Sequence, residues 1–145
     1  MYDVIDVMHK ENLKLTRLSF RPSYGPGSHP YHKTTVQNFL DNTPEDWIII
    51  VDANHIISPG PTSAAKALAN WASIKSRLQT VLRDFPNNPR VAVELFNELY
   101  ITHAKYYDLV QDLVTWIRND LGYFNTLVCN KLTWSGGGRN YWEKS

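Results

Sequence analysis

Hydrophobic and polar positions follow two periods that take turns along the chain. Residues 2 to 11 place Val4, Ile5 and Met8 on one side at helical spacing, and KLTRLSF, residues 14 to 20, then alternates as a strand with Leu15, Arg17 and Ser19 on one side. RPSYGPGSHPYHK, residues 21 to 33, holds three Pro and two Gly and predicts a long loop. Thr34 and Gln37 have capping-box spacing for a second helix through about Asn42. WIIIVDA, residues 47 to 53, is a continuous β-branched run of the kind found in a strand covered on both faces, and NHIISPGPTS forms a loop at its carboxyl end. Leu68, Trp71, Ile74, Leu78 and Val81 mark a helix over residues 63 to 84, which DFPNNP terminates. A strand follows at 91 to 97, then a helix lined by Tyr106, Leu109, Leu113, Trp116 and Ile117 with a stop at Gly122, then a strand TLVCNKL at 126 to 132. The tail WSGGGRNYWEKS is glycine-rich and polar.

Four helix-strand units, with strands roughly 30 to 45 residues apart, predict an α/β fold of parallel strands joined by right-handed crossovers. An open wound sheet and part of a β/α barrel both satisfy that period. Four strands do not close a barrel, which takes eight, and the two lateral edges would present unpaired backbone groups. Either a partner covers those edges or the chain is a piece of a larger barrel.

At 145 residues the chain has the mass of one domain, and a 43% hydrophobic share with five Trp supplies a core. The 15 basic and 14 acidic residues are interspersed, leaving a formal charge of +1 and no electrostatic footprint for nucleic acid. No segment approaches the eighteen or so consecutive apolar residues of a membrane span. The opening MYDVIDVMHKENL lacks the basic and apolar regions of a signal peptide. Cys129 is the single cysteine and lies in an apolar run, so a buried, inert thiol is expected. His29 and His32 have no matching acidic pair, and no metal site is expected there. GPGS at 25 to 28 has neither the P-loop lysine nor GxGxxG spacing, which argues against a nucleotide-binding wound sheet.

The chemistry concentrates in VAVELFNELY, residues 91 to 100, where an apolar run carries Glu94 and ends in Asn97-Glu98. An ionisable group at the carboxyl end of a buried strand is expensive unless paired, hydrogen-bonded or used, and barrel enzymes keep their chemistry at that end. Glu94 has the strand parity of Glu98 but lies about 13 Å deeper by strand rise, too far to be its catalytic partner. Arg17 is able to pair with Asp52 or Glu94, either in a structural ion network or while orienting a catalytic carboxylate.

These residues, in this order, resemble the amino-terminal portion of glycoside hydrolase family 5, the cellulase-like retaining β/α-barrel glycosidases. Arg17 in LTRLSF resembles the family's second-strand arginine, and VDANH its third-strand Asp-x-His signature with one more residue between Asp52 and His55. ELFNE resembles the fourth-strand Asn-Glu signature, and KLTWS, with Trp134, the segment after the fifth strand. The resemblance covers about residues 2 to 135. It implies that residues 1 to 145 form an incomplete (β/α)8 TIM-barrel domain, with about four parallel strands and flanking helices, lacking the family's first strand and its sixth to eighth. It further implies hydrolysis of β-1,4-glucans with retention, which needs a proton-donating carboxylic acid and a nucleophilic carboxylate about 5 to 5.5 Å away. In that scheme Glu98 is the general acid/base and Asn97 hydrogen-bonds the sugar 2-hydroxyl. Arg17, His55 and Trp134 bind substrate, with Trp134 stacking on a pyranose face. The family's nucleophile is a glutamate on the seventh strand, outside this chain, and Glu143 in the tail does not replace it. No cofactor is implied. The expected partners are a β-glucan and either a second copy or the remainder of a larger barrel, and the location implied is extracellular. The alternative is a non-catalytic carbohydrate-binding or vestigial half barrel.

Overall fold

The computed structural model of the protein describes residues 2–20, 30–53, 62–63, 69–95, 99–100 and 103–129. Its elements run α1 (Tyr2–Lys10), β1 (Leu15–Ser19), α2 (Lys33–Asp41), β2 (Ile48–Asp52), β3 (Thr62–Ser63), α3 (Trp71–Asp84), β4 (Val91–Glu94), β5 (Leu99–Tyr100), α4 (His103–Thr115) with a π turn at Trp116–Asp120, and β6 (Leu127–Val128). The main sheet has the order β1-β2-β4-β6 and every pairing in it is parallel. Strand order therefore follows chain order without reversal. A second sheet joins β3 to β5, also in parallel.

Register divides the main sheet into two unlike faces, because Cα partners in a ladder share a face. One face carries Leu18, Val51, Val93 and Leu127 on one rung and Phe20, Ala53 and Leu95 beyond it. These side chains belong to one core cluster with Ile5 and Met8 of α1, Val36 and Phe39 of α2, Ile74, Leu78, Val81 and Leu82 of α3, and Leu113 of α4 with Ile117 of the π turn. The four helices among the described residues thus bury their apolar stripes on one side of the sheet. The other face carries Leu15 and Ile48, which stay 55% and 38% exposed, then Arg17, Ile50 and Ala92, then Ser19, Asp52, Glu94 and Val128.

That division corrects several expectations. The WIIIVDA strand meets the described helices on one face alone: on the other, Ile48 is exposed and Ile50 half-buried, and burial is complete only at Asp52, so only alternate residues of the run join the apolar core. The capping box at Thr34 and Gln37 does not form, because α2 starts earlier, at Lys33, with His32 as its N-cap and no side-chain cap. Gln37 instead donates Nε2–H to Asp41 Oδ1 at 2.8 Å, one turn along the helix. Of the predicted helix over 63 to 84, residue 63 is strand, residue 69 is helical, residue 70 is a turn and Trp71–Asp84 is α-helix, while residues 64–68 lie outside the described residues. Val4 is exposed while Ile5 and Met8 are buried. The strand at 91 to 97 is assigned only through Glu94, and the one at 126 to 132 only at Leu127–Val128, with residues 96–98 and 130–132 outside the described set. Gly122 does end the last helix, at φ +73°, the left-handed conformation a helix stop favours.

At the amino ends of the strands, amide and guanidinium clamps replace side-chain packing. Arg90, just before β4, donates to the carbonyls of Leu40, Thr43 and Trp47 and to Thr43 Oγ1, so it holds the end of α2 against the start of β2. A cation over the last carbonyls of a helix also suits its dipole. Asn125 is buried, and its Nδ2 donates to the carbonyls of Phe85 (2.9 Å) and Val91 (3.3 Å) while its Oδ1 accepts from the Asn87 N–H at 2.9 Å. Asn125→Ala leaves a buried carbonyl and an N–H unmet, and is expected to cost about 2 to 3 kcal/mol, read as a lower urea midpoint at unchanged slope. Asn87 itself adopts φ +53°, which Asn tolerates better than most residues.

Candidate functional site

The carboxyl ends of three adjacent strands meet at one rung, Ser19 beside Asp52 and Asp52 beside Glu94. Arg17 starts two residues deeper on the same face, and its side chain extends toward that rung. Its Nε donates to Glu94 Oε2 at 2.5 Å and its Nη2 to Glu94 Oε1 at 2.9 Å, a fork-to-carboxylate pair, while Nη2 also donates to Asp52 Oδ2 at 2.9 Å. One side chain therefore joins β1, β2 and β4. Asp52 and Glu94 are fully buried, whereas the Arg17 side chain remains 37% exposed on the open face. Sequence left open which carboxylate Arg17 would take, and it takes both.

The local reason is strand parity. Arg17, Asp52 and Glu94 fall on the side of the sheet opposite the helices, and their apolar neighbours Leu18, Val51, Val93 and Leu95 fall on the core side. A carboxylate buried among apolar strands needs a partner, and the guanidinium supplies several N–H donors in a planar fork. A guanidinium held in this way is able to orient a polar group brought over the same face.

Tyr106 of α4 is a site neighbour that sequence patterning reads only as core. It is buried, and burial, then the charges of Cys129, Tyr107 and Glu94, push its phenol up to about 12. Tyr31, whose hydroxyl donates to Asp84 Oδ2 at 3.1 Å, is raised further by burial and by that carboxylate. A phenol that keeps its proton longer when folded stabilises the fold fully below the unfolded value near 10. That contribution is lost as pH rises toward 12. The slope for Tyr106 alone is about 1.4 kcal/mol per pH unit across that window. Urea midpoints at pH 9, 10.5 and 11.5 are expected to fall in that order, and more shallowly in Tyr106→Phe.

Cys129 corrects its expectation in part. It follows the last described strand residue, beyond the packed rungs, and is exposed. The protein around its sulfur still pushes the thiol up, which disfavours the reactive thiolate. A second charged cluster, Lys75 lying over the rings of Trp71 and Trp116 at 5.7 and 4.9 Å and 3.5 Å from Asp112, joins α3 to α4 on the helical layer, away from the open face.

Of the residues expected to form the site, Arg17 is described and sits with Asp52 and Glu94. His55, Asn97, Glu98 and Trp134 lie outside the described residues, as does His29. Among the described residues no group of three or more His, Cys, Asp and Glu could hold a metal ion, and no helix is long and apolar enough to cross a membrane. Compared with family models, curated proteins and solved structures, the chain matches none.

Proposed function

We propose that this chain is part of a retaining β-1,4-glucan hydrolase built on a (β/α)8 barrel, with Glu98 as general acid/base and Asn97 on the sugar 2-hydroxyl. The observation that carries the reading is the meeting of Arg17, Asp52 and Glu94 on the open face, since each comes from a different one of three motifs that resemble glycoside hydrolase family 5. Architecture supports it as well. Strands in chain order with the described helices on one face are the arrangement of a barrel wall, whose open face becomes the lumen, while a doubly wound sheet carries helices on both faces. Exposed Leu15 and Ile48 are then lumen residues awaiting the strands that complete the ring, and covering each would contribute about 1 to 2 kcal/mol.

In this reading Glu98 protonates the leaving oxygen, then removes a proton from the water that cleaves the glycosyl-enzyme bond. Arg17, fixed by Asp52 and Glu94, orients the nucleophilic carboxylate contributed by the completing strands. Those strands come from a second copy or from the remainder of a larger barrel. His55 and Trp134 hold the sugar, and the chemistry needs no cofactor. The test is release of reducing sugar from soluble cellulose derivatives, with Glu98→Gln expected to abolish release while oligosaccharide binding persists.

One observation favours a second reading, a carbohydrate-binding half barrel without turnover. Asp52 and Glu94, the carboxylates that face takes from β2 and β4 among the described residues, are both bound to Arg17, so neither is placed to attack an anomeric carbon. Binding of cello-oligosaccharides with no Glu98-dependent release of sugar would select that reading.

A further inference from the structure

The two lateral edges of the main sheet are alike in what they leave open. Every pairing is parallel and strand order follows chain order, so β1 forms one edge, β6 the other, and both run in the same direction. Successive backbone groups on a strand point to opposite sides. The Lys14 carbonyl and the Phe20 N–H bond to β2, so the N–H and C=O of Leu15 and Ser19 point to the outer side of β1. Thr126 and Val128 turn their carbonyls to the β4 chain, so those groups of Leu127 point to the outer side of β6. Exposed apolar side chains collect on the same two units. Of the seven large hydrophobics exposed among the described residues, Val4, Val7, Leu13 and Leu15 belong to the α1–β1 unit, Tyr107 and Phe124 to the α4–β6 unit, and only Ile48 lies between. None is on α2 or α3.

We infer that a second copy of this chain docks on these edges, β6 of each copy pairing in parallel with β1 of the other, so that two four-stranded sheets close one eight-stranded ring. The open edges fit each other because they share one direction and one pattern of exposed apolar units. The four strands of the main sheet are half of the eight that this architecture takes, and a formal charge of +1 leaves little repulsion between copies. The seam is matched at two levels. Leu13 and Phe124 each lie just before the first residue of an edge strand, so both sit at the amino end of the seam. Val4 in the first turn of α1 and Tyr107 at the start of the second turn of α4 bring apolar surface to its helical layer. Closure covers both edges at once and leaves no place for a third copy. The inference takes from the hydrolase reading only its barrel wall, and none of its chemistry.

Sedimentation equilibrium of the full chain is expected to give a dimer of about 33 kDa, twice the 16.7 kDa of one chain, with no larger species as concentration rises. Val4→Glu/Val7→Glu alters the first edge and Tyr107→Glu/Phe124→Glu the last. All four side chains are exposed in the single chain, so each variant is expected to keep its fold, checked by the urea midpoint of dilute protein. Serine replaces glutamate at any position where that midpoint falls. Each double variant is expected to raise the dissociation constant about tenfold or more. An equimolar mixture of the two is expected to regain dimer, because one seam of the mixed pair is unaltered. Amide exchange at Leu15 and Ser19 is expected to be about tenfold or more slower in the wild-type dimer than in the first-edge variant. Phe20, whose N–H already bonds to the Asp52 carbonyl, should change by less. Wild type that stays monomeric at every concentration overturns the inference, and leaves the hydrolase reading with the remainder of a larger barrel as its source of strands. Loss of dimer in one variant and not the other means that like edges pair, and overturns the ring, as does an open series of oligomers or a mixture that stays monomeric. Equal exchange at Leu15 and Ser19 in dimer and monomer overturns the strand pairing. Failure of the hydrolase reading shows separately, as a dimer whose sugar release does not depend on Glu98.

Discussion

Arg17→Leu is expected to destabilise the fold by about 3 kcal/mol and to lower its melting temperature by about 10 °C, because it leaves two fully buried carboxylates without their shared cation. The figure sits at the lower end of the usual cost of breaking a buried pair, since the guanidinium is partly in water and its charge partly screened. Removing the cation costs more than removing the whole network. Arg17→Leu combined with Asp52→Leu and Glu94→Leu is therefore expected to recover most of the loss, as apolar side chains replace desolvated charges. Thermal melts of wild type, the single variant and the triple variant check this. A single variant as stable as wild type would mean that the three-strand tie contributes nothing to the fold.

On the proposed reading of Glu98 as general acid/base, Glu98→Gln is expected to carry the second large effect, a fall in turnover of about 10²- to 10⁴-fold, the range for removal of a positioned general acid. The loss should depend on the leaving group. A glycoside whose aryl leaving group departs as a stable phenolate needs no proton from Glu98, so its first step is spared while hydrolysis of a natural glucan is not. Oligosaccharide affinity should change by less than about threefold, since the isosteric amide keeps the shape of the site and removes chiefly transition-state interaction. Sugar release and equilibrium binding measured on the same preparations separate these effects. Equal losses in affinity and turnover would place Glu98 among groups that bind sugar without donating a proton.

Much of the main architecture was legible in the chain because its elements are long or strongly patterned. Leu78 and Val81, or Val51 and Val93, declare themselves by period, and the structure buries all four. The two-faced nature of the sheet was less legible. A β-branched run such as Ile48–Val51 reads the same whether one face or both are covered, and only the placement of every helix on one side leaves Ile48 and Ile50 toward the open face. Pairing of β3 with β5 had no signal, since two residues cannot show a period. Arg17 was legible as a candidate through its parity, yet its choice of both Asp52 and Glu94 depends on strand register, which no single segment encodes. Tyr106 was placed in the core by spacing, but its electrostatic coupling to Glu94 joins elements distant in sequence.

The turn at Trp116–Asp120 bears on how the chain tolerates changes in its length. There the Leu121 N–H bonds to the Trp116 carbonyl, five residues back, so the helix end already accommodates one residue more than an α turn would hold. Deleting one residue there removes the surplus that the wide turn absorbs, so ordinary α geometry is expected to return with the downstream chain in nearly the same frame. The Arg118 bonds to the carbonyls of Tyr123 and Asn125, and the seat of Asn125 between Phe85 and Val91, are then expected to survive, whereas the same deletion inside Trp71–Asp84 would turn the rest of that helix by about 100°. The wide turn is the place in the helical layer where a change of chain length is taken up without moving the strand that follows.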